Sequence, residues 1–228
     1  MTVILILATF LVFITLDYAL NRHKAHPALL VKPEPAGRVL PGGEFGEFIE
    51  GFLAPRNVSY HAGHTWLARE RKNVVRVGAD DFATALAGKV EKIELPKPGQ
   101  WLRQGQRAIA FLRGGERVEM VSPTEGEVVD VNTEVLANPA LMRQDPYGKG
   151  WLMSVLVPDE ENTSRNLLPR GLVRPWMSNA AAKLYAMQPQ LAGAVSPDGG
   201  RPAEDLLAAV PSAKWGETVS EFFLTGRI

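Results

Sequence analysis

The chain contains no cysteine. That excludes disulfides, thiolate nucleophiles and cysteine-ligated zinc or iron–sulfur centres, and it leaves the redox compartment unmarked. Net charge is absent as well. With 25 basic residues against 25 acidic ones, no global field draws nucleic acid or an anionic membrane, so partners must be read by local surface. Phosphate-loop chemistry is missing, because the pairs Gly42-Gly43, Gly114-Gly115 and Gly199-Gly200 lack the required flanks. Ser122, Ser178 and the acidic residues stand in no context resembling a nucleophile elbow or a paired-carboxylate motif. His61 and His64 do not read as a metal pair: side chains three apart on a strand face opposite sides, and the ligand set is incomplete. The expectation is a chain that is not an enzyme, with no cofactor, no metal, no small-molecule substrate and no nucleic-acid partner.

What is present begins with apolar bulk. Of 228 residues, 46% are hydrophobic and 22% charged, enough to build a packed core. Residues 2–20, TVILILATFLVFITLDYAL, hold a single charge, Asp17, and at about 1.5 Å per residue they nearly span a hydrocarbon layer of about 30 Å. No basic stretch precedes the run and no small-residue cleavage site follows it, so an uncleaved transmembrane helix is expected. Arg22 and Lys24, flanked by His23 and His26, place the following body in the cytoplasm of a single-pass protein of the inner (cytoplasmic) membrane, with the N-terminus outside. Asp17 has two readings: a carboxylate with a role in the membrane or toward a partner, or one that reaches interfacial water one turn from the basic flank.

Residues 1–26 thus form an anchor with a basic flank, and 27–57 read as a Pro/Gly-rich connector. Within it Phe45, Phe48, Ile49, Phe52 and Leu53 fall at helical intervals, which predicts a short amphipathic turn or helix over 44–53. Residues 58–162 are different: short alternating runs separated by Gly and Pro at the spacing of an all-β sandwich or barrel. Strands are expected on either side of a polar turn at Glu70 to Asn73 in HTWLARERKNVVRVGAD, and in KVEKIELP, RAIAFL, RVEMV, EGEVVDVN and GWLMSVLVP. Asp80 and Asp81 open a short helix that Gly88 closes, and Gly114-Gly115 supply a two-residue hairpin turn. Residues 163–228 form a partly helical extension, with one helix from Ser178 and one or two amphipathic helices around Pro211.

The β region carries a family resemblance. Its first half contains His64-Thr65-Trp66, Gly78-Ala79-Asp80 at a helix start, and Leu95-Pro96 before Gly99. Its second half contains Ser122-Pro123, Gly126-Glu127-Val128, Asn138-Pro139, Asp145-Pro146-Tyr147-Gly148 and Gly150-Trp151-Leu152. In kind and spacing these resemble the glycine-cleavage H protein over roughly residues 60–160. The resemblance implies a mainly β, barrel-sandwich hybrid fold of lipoyl-domain type. It also implies a hairpin whose Glu-Ser-Val-Lys-Ala motif would carry lipoate on its lysine. Without a gap between Gly105 and Pro123, that motif falls on Leu112-Arg113-Gly114-Gly115-Glu116, so Gly115 occupies the lysine position. Glycine has no amine to acylate, and a guanidinium such as that of Arg113 is no substitute.

Trp176, Tyr185, Trp215, Phe222 and Phe223 lie in the extension, and Phe48 and Phe52 in the connector. Such aromatic residues either pack on the body or anchor a partner. Anchor, stripped carrier fold and long arms combine into one expectation: a non-catalytic scaffold or accessory subunit of an integral membrane complex, a bacterial respiratory or photosynthetic assembly being one fit. The alternatives are an adaptor for glycine-cleavage or lipoate-handling enzymes, or a lipoyl carrier with an atypical lysine.

Overall fold

The fold is mainly β, built from three antiparallel sheets with short helices between strands and two longer ones in the C-terminal extension. The computed structural model describes residues 46–159, 163, 165–188, 191, 205–209 and 214–226, all within one compact unit spanning Arg38–Ile228. The apolar run 2–20 and Asp17 lie outside the described residues. Among the described residues no helix is long and apolar enough to cross a membrane.

Strands β1 (Gly46–Ile49) and β2 (Phe52–Pro55) form a hairpin where a short amphipathic turn or helix is expected. The turn residues Glu50 and Gly51 have φ of 50° and 84°, the left-handed pair of a two-residue hairpin. Pairing of Phe48 with Leu53 and Ile49 with Phe52 brings together the same residues that a helical spacing would align, which is why the pattern misleads. The side chains of β2 are buried.

Next come β3 (Ser59–Tyr60), β4 (Thr65–Arg71) and β5 (Val74–Ala79), joined by a tight turn in which Asn73 has φ 57°. Helix α1 (Asp81–Ala87) follows at once. Its N-cap Asp80 accepts a hydrogen bond from the Ala83 amide at 2.7 Å, and Gly88 closes it, as Asp and Gly do at such positions. Strands β6 (Lys92–Glu94), β7 (Trp101–Leu102), β8 (Arg107–Arg113), β9 (Glu116–Val121) and β10 (Gly126–Val131) continue the chain. Short helices α2 (Thr133–Ala137) and α3 (Ala140–Gln144) flank Pro139, and β11 (Met153–Leu156) completes a six-stranded sheet in the order β3-β4-β5-β11-β10-β7. The smaller sheet runs β6-β8-β9, leaving β9 at its edge.

Helix α4 (Arg170–Met187) begins at Arg170 rather than at Ser178. Pro175 lies inside it, and a proline there reads as a helix stop because it lacks an N–H. After a 3-10 turn (Leu207–Ala209), helix α5 (Trp215–Phe222) packs on β9 and α1. One core joins the sheets to the extension, with Trp66, Phe82, Phe111 and Met120 beside Met177, Leu184, Val219 and Phe223.

Candidate functional site

The β8–β9 hairpin is where the family resemblance puts carrier chemistry. Apolar alternation in RAIAFLR and ERVEMV buries Ile109, Phe111, Val118 and Met120 against the core, and pairing runs out to Arg113 opposite Glu116. Only Gly114 and Gly115 remain for the loop, with φ of 57° and 79°. Glycine suits both positions, since a two-residue connection of matching twist places both residues in the left-handed region, where a Cβ is strained. A Cβ at either position would meet nothing within 4 Å, so the tip is open. The Gly114 amide donates to Glu91 Oε1 at 3.1 Å.

The tip therefore offers a lipoyl group space but no attachment: the segment Arg107–Val121 contains no lysine, and Gly115 has no side chain. These residues do not fit the group, and no chemistry is routed through it. Strand pairing does bring Lys92 opposite Leu112, a proximity that its place in the sequence hides. Its ammonium is paired with Glu94 Oε1 at 2.8 Å.

Both flanks of the turn are held by the C-terminal extension. Arg113 forms an ion pair with Asp205 at 2.8 Å, donates to the Ala87 carbonyl at 3.2 Å, and lies over the Trp215 ring at 6.0 Å. Glu116 Oε2 accepts from the Gly216 amide at 2.8 Å, satisfying a free donor in the first turn of α5. Nearer the hairpin's base, Thr225 Oγ1 donates to the Glu119 carbonyl at 2.8 Å and Arg107 donates to the Thr225 carbonyl at 3.1 Å.

A second polar cluster lies under α1 and fastens the β1–β2 hairpin. The Leu53 amide donates to Asp81 Oδ2 at 2.8 Å, while the Tyr147 hydroxyl donates to the Leu53 carbonyl at 2.7 Å and accepts from the Asp81 amide at 3.1 Å. Arg143 completes it at 2.6 Å from Asp81 Oδ1. Burial, reinforced by the nearby Asp80 and Asp81, pushes the Tyr60 and Tyr147 hydroxyls far above the usual tyrosine value, so both stay protonated donors.

His64 Nδ1 is 2.8 Å from Asp80 Oδ2, and its ring is stacked between Phe82 at 4.5 Å and Trp176 at 4.4 Å. His61 lies across a turn from it rather than along a strand, and accepts from the Gly63 amide through Nδ1 at 3.0 Å. Burial first, and then the neighbouring His64, hold the His61 imidazole below the ordinary histidine value. Among the described residues no group of three or more His, Cys, Asp or Glu could hold a metal ion.

Of the aromatic residues expected either to pack on the body or to anchor a partner, Phe52 and Phe223 are fully buried and Trp215 and Phe222 nearly so. Phe52 packs edge-on to Phe82 at 5.0 Å, Phe222 on Phe82 at 5.2 Å, and Phe223 on Phe111 at 6.0 Å. For these four, packing on the body is the observed role. Trp176 and Tyr185 are half-buried on α4, and the Tyr185 hydroxyl has no hydrogen-bond partner among the described residues. Phe48 stays 45% exposed. A residue absent from the sequence-based set stands out more: Trp101, 53% exposed on β7, lies in register beside Glu127, which lies beside Leu156. The signal available in sequence was a tryptophan at an outward position in a turn-rich run.

Comparison with known proteins matches part of the chain to one family. The family model described as glycine cleavage H-protein matches residues 58–174, just over half of the chain. A probable glycine cleavage system H protein 2 of Sulfurisphaera tokodaii is 37% identical over 110 residues, covering 47% of this chain and 74% of the relative. A glycine cleavage system H protein of Mycobacterium leprae is 38% identical over 106 residues, covering 46% of this chain and 80% of the relative. Among solved structures, the glycine cleavage system H protein of Mycobacterium marinum is 28% identical, with a TM-score of 0.43, covering 49% of this chain and 96% of that one.

Proposed function

Because the chain belongs to the glycine cleavage H-protein family, we propose that it is a non-catalytic member that has given up lipoyl carriage and serves as a membrane-anchored scaffold or accessory subunit. The observation that carries this reading is the hairpin tip: a two-glycine turn at the position the family resemblance assigns to the lipoyl lysine, on a hairpin without lysine. A carrier moves a group between enzymes on a long arm, and a chain without the attachment amine keeps only the surface of its fold to work with. The exposed row Trp101, Glu127, Leu156 supports a role in protein contact, since tryptophan is enriched where proteins meet. The apolar run 2–20 with its basic flank supports the anchor and the cytoplasmic side for the body.

Extraction of native membranes in mild detergent tests the scaffold reading. The chain is expected in the membrane fraction, migrating on native gels within a larger assembly, and Trp101→Glu is expected to weaken that assembly while leaving the domain folded. Recovery as a free, monodisperse monomer would contradict it. A second reading follows from the retained family body: an adaptor that binds glycine-cleavage or lipoate-handling enzymes without being modified. It predicts that purified enzymes of that system bind the chain directly, and absence of binding removes it.

A further inference from the structure

One side of the β8–β9 hairpin is already occupied by the chain's own C-terminal extension. Strand β9 is the edge of its sheet, and an edge with an open turn beside it is the natural place for another protein to engage. Here α5 packs on β9, and Thr225 just beyond the helix donates to the Glu119 carbonyl of that strand. Its anchors Trp215, Val219, Phe222 and Phe223 follow the spacing of a helix laid into a groove, and all four are buried. The polar contacts extend the grip from the tip flanks, Arg113 to Asp205 and Glu116 to the Gly216 amide, down to Glu119 and Arg107. Asp205, Trp215 and their neighbours also lie beyond residues 58–174, the part matched by the family.

We propose that α5, with the Asp205 turn before it, is a built-in occupant of the hairpin's recognition face, so that an enzyme that reads carrier hairpins engages this chain poorly even when a lysine stands at the tip. The proposal rests on the non-carrier reading and adds a second, independent barrier to it. An edge strand covered for stability alone would leave recognition at the open tip unaffected, and that difference is measurable.

The test installs the missing amine with Gly115→Lys in the full chain and presents it to a lipoate ligase with lipoate and ATP. In the step assayed, lysine Nζ attacks the lipoyl-adenylate carbonyl, an amide C–N bond forms, the acyl C–O bond to AMP breaks, and a proton passes to solvent. Intact mass gives the rate. Three proteins are compared: Gly115→Lys alone, the same with Trp215→Glu and Val219→Glu to expel α5, and the same with Asp205→Asn, which loosens the tip flank without touching the apolar anchors. Hydrogen exchange on β4 and β5 checks that each remains folded.

Because only the fraction of molecules with α5 displaced is competent, expelling it is expected to raise the rate about tenfold or more, with a smaller rise for Asp205→Asn. Equal rates in all three proteins, or no modification in any of them, would overturn the proposal. If the double glutamate variant unfolds, the Asp205→Asn comparison decides alone. Lipoylation of the unmutated chain would instead defeat the non-carrier reading, a separate outcome seen in the same assay.

Discussion

Replacing Tyr147 by phenylalanine removes one oxygen and, with it, two buried hydrogen bonds to the backbone. The Tyr147 hydroxyl donates to the Leu53 carbonyl at 2.7 Å and accepts from the Asp81 amide at 3.1 Å, and its side chain is buried between Trp66 and Tyr60. Losing a hydrogen bond from a buried group costs about 1–3 kcal/mol, and partial relaxation returns some of it, so a net loss of about 2–4 kcal/mol is expected for the two. For a domain of this size that corresponds to a fall in melting temperature of roughly 4–16 °C. The ring keeps its packing, so the far-ultraviolet circular dichroism of the folded protein should be unchanged. The assay is urea unfolding followed by tryptophan fluorescence, with hydrogen exchange at Leu53 and Asp81 as the local probe. A loss below about 0.5 kcal/mol, with protection at both amides retained, would refute the claim that this hydroxyl fastens the β1–β2 hairpin to the domain.

Three further outcomes follow. His61 titrates below the ordinary histidine value, so the unfolded chain binds its proton first and stability falls as pH drops below about 6.5. His61→Asn is expected to shrink the loss in urea midpoint between pH 7.5 and pH 5.5, and an unchanged loss would count against this assignment. Asp80→Ala removes the cap bond to Ala83 and the partner of His64 together, and a loss of about 2–4 kcal/mol in denaturant titration is expected, whereas an exposed cap would give only about 1. Gly115→Ala meets no neighbour but adopts positive φ, so a loss of about 1 kcal/mol by thermal melting is expected, and a larger one would mean that the tip is not open.

Local chemistry was readable and distant packing was not. Asp80 and Gly88 bound α1 because capping needs only a side-chain oxygen at one end and a flexible residue at the other. Gly114-Gly115 marks a hairpin because few other pairs fit a two-residue turn. In contrast, the residues at 45–53 match both a helix and a hairpin, and the choice is made by Asp81 and Tyr147 gripping Leu53 from 28 and 94 positions away. The burial of Trp215 and Phe223, the ion pair of Arg113 with Asp205, and the His64 stack on Trp176 likewise join segments far apart in sequence. No periodicity records such partners. Of the candidate site, the lysine-free two-glycine turn at Gly114-Gly115 was legible, while the extension holding both sides of the turn was not.

Intact mass after exposure to a lipoate ligase, lipoate and ATP tests the central claim most directly, with a lipoylatable H protein as the positive control in the same tube. The account predicts that the control gains a lipoyl group while this chain gains none, at any of its lysines including Lys92 beside the hairpin. Stoichiometric gain of one lipoyl group, mapped to any lysine of the folded chain, would contradict it.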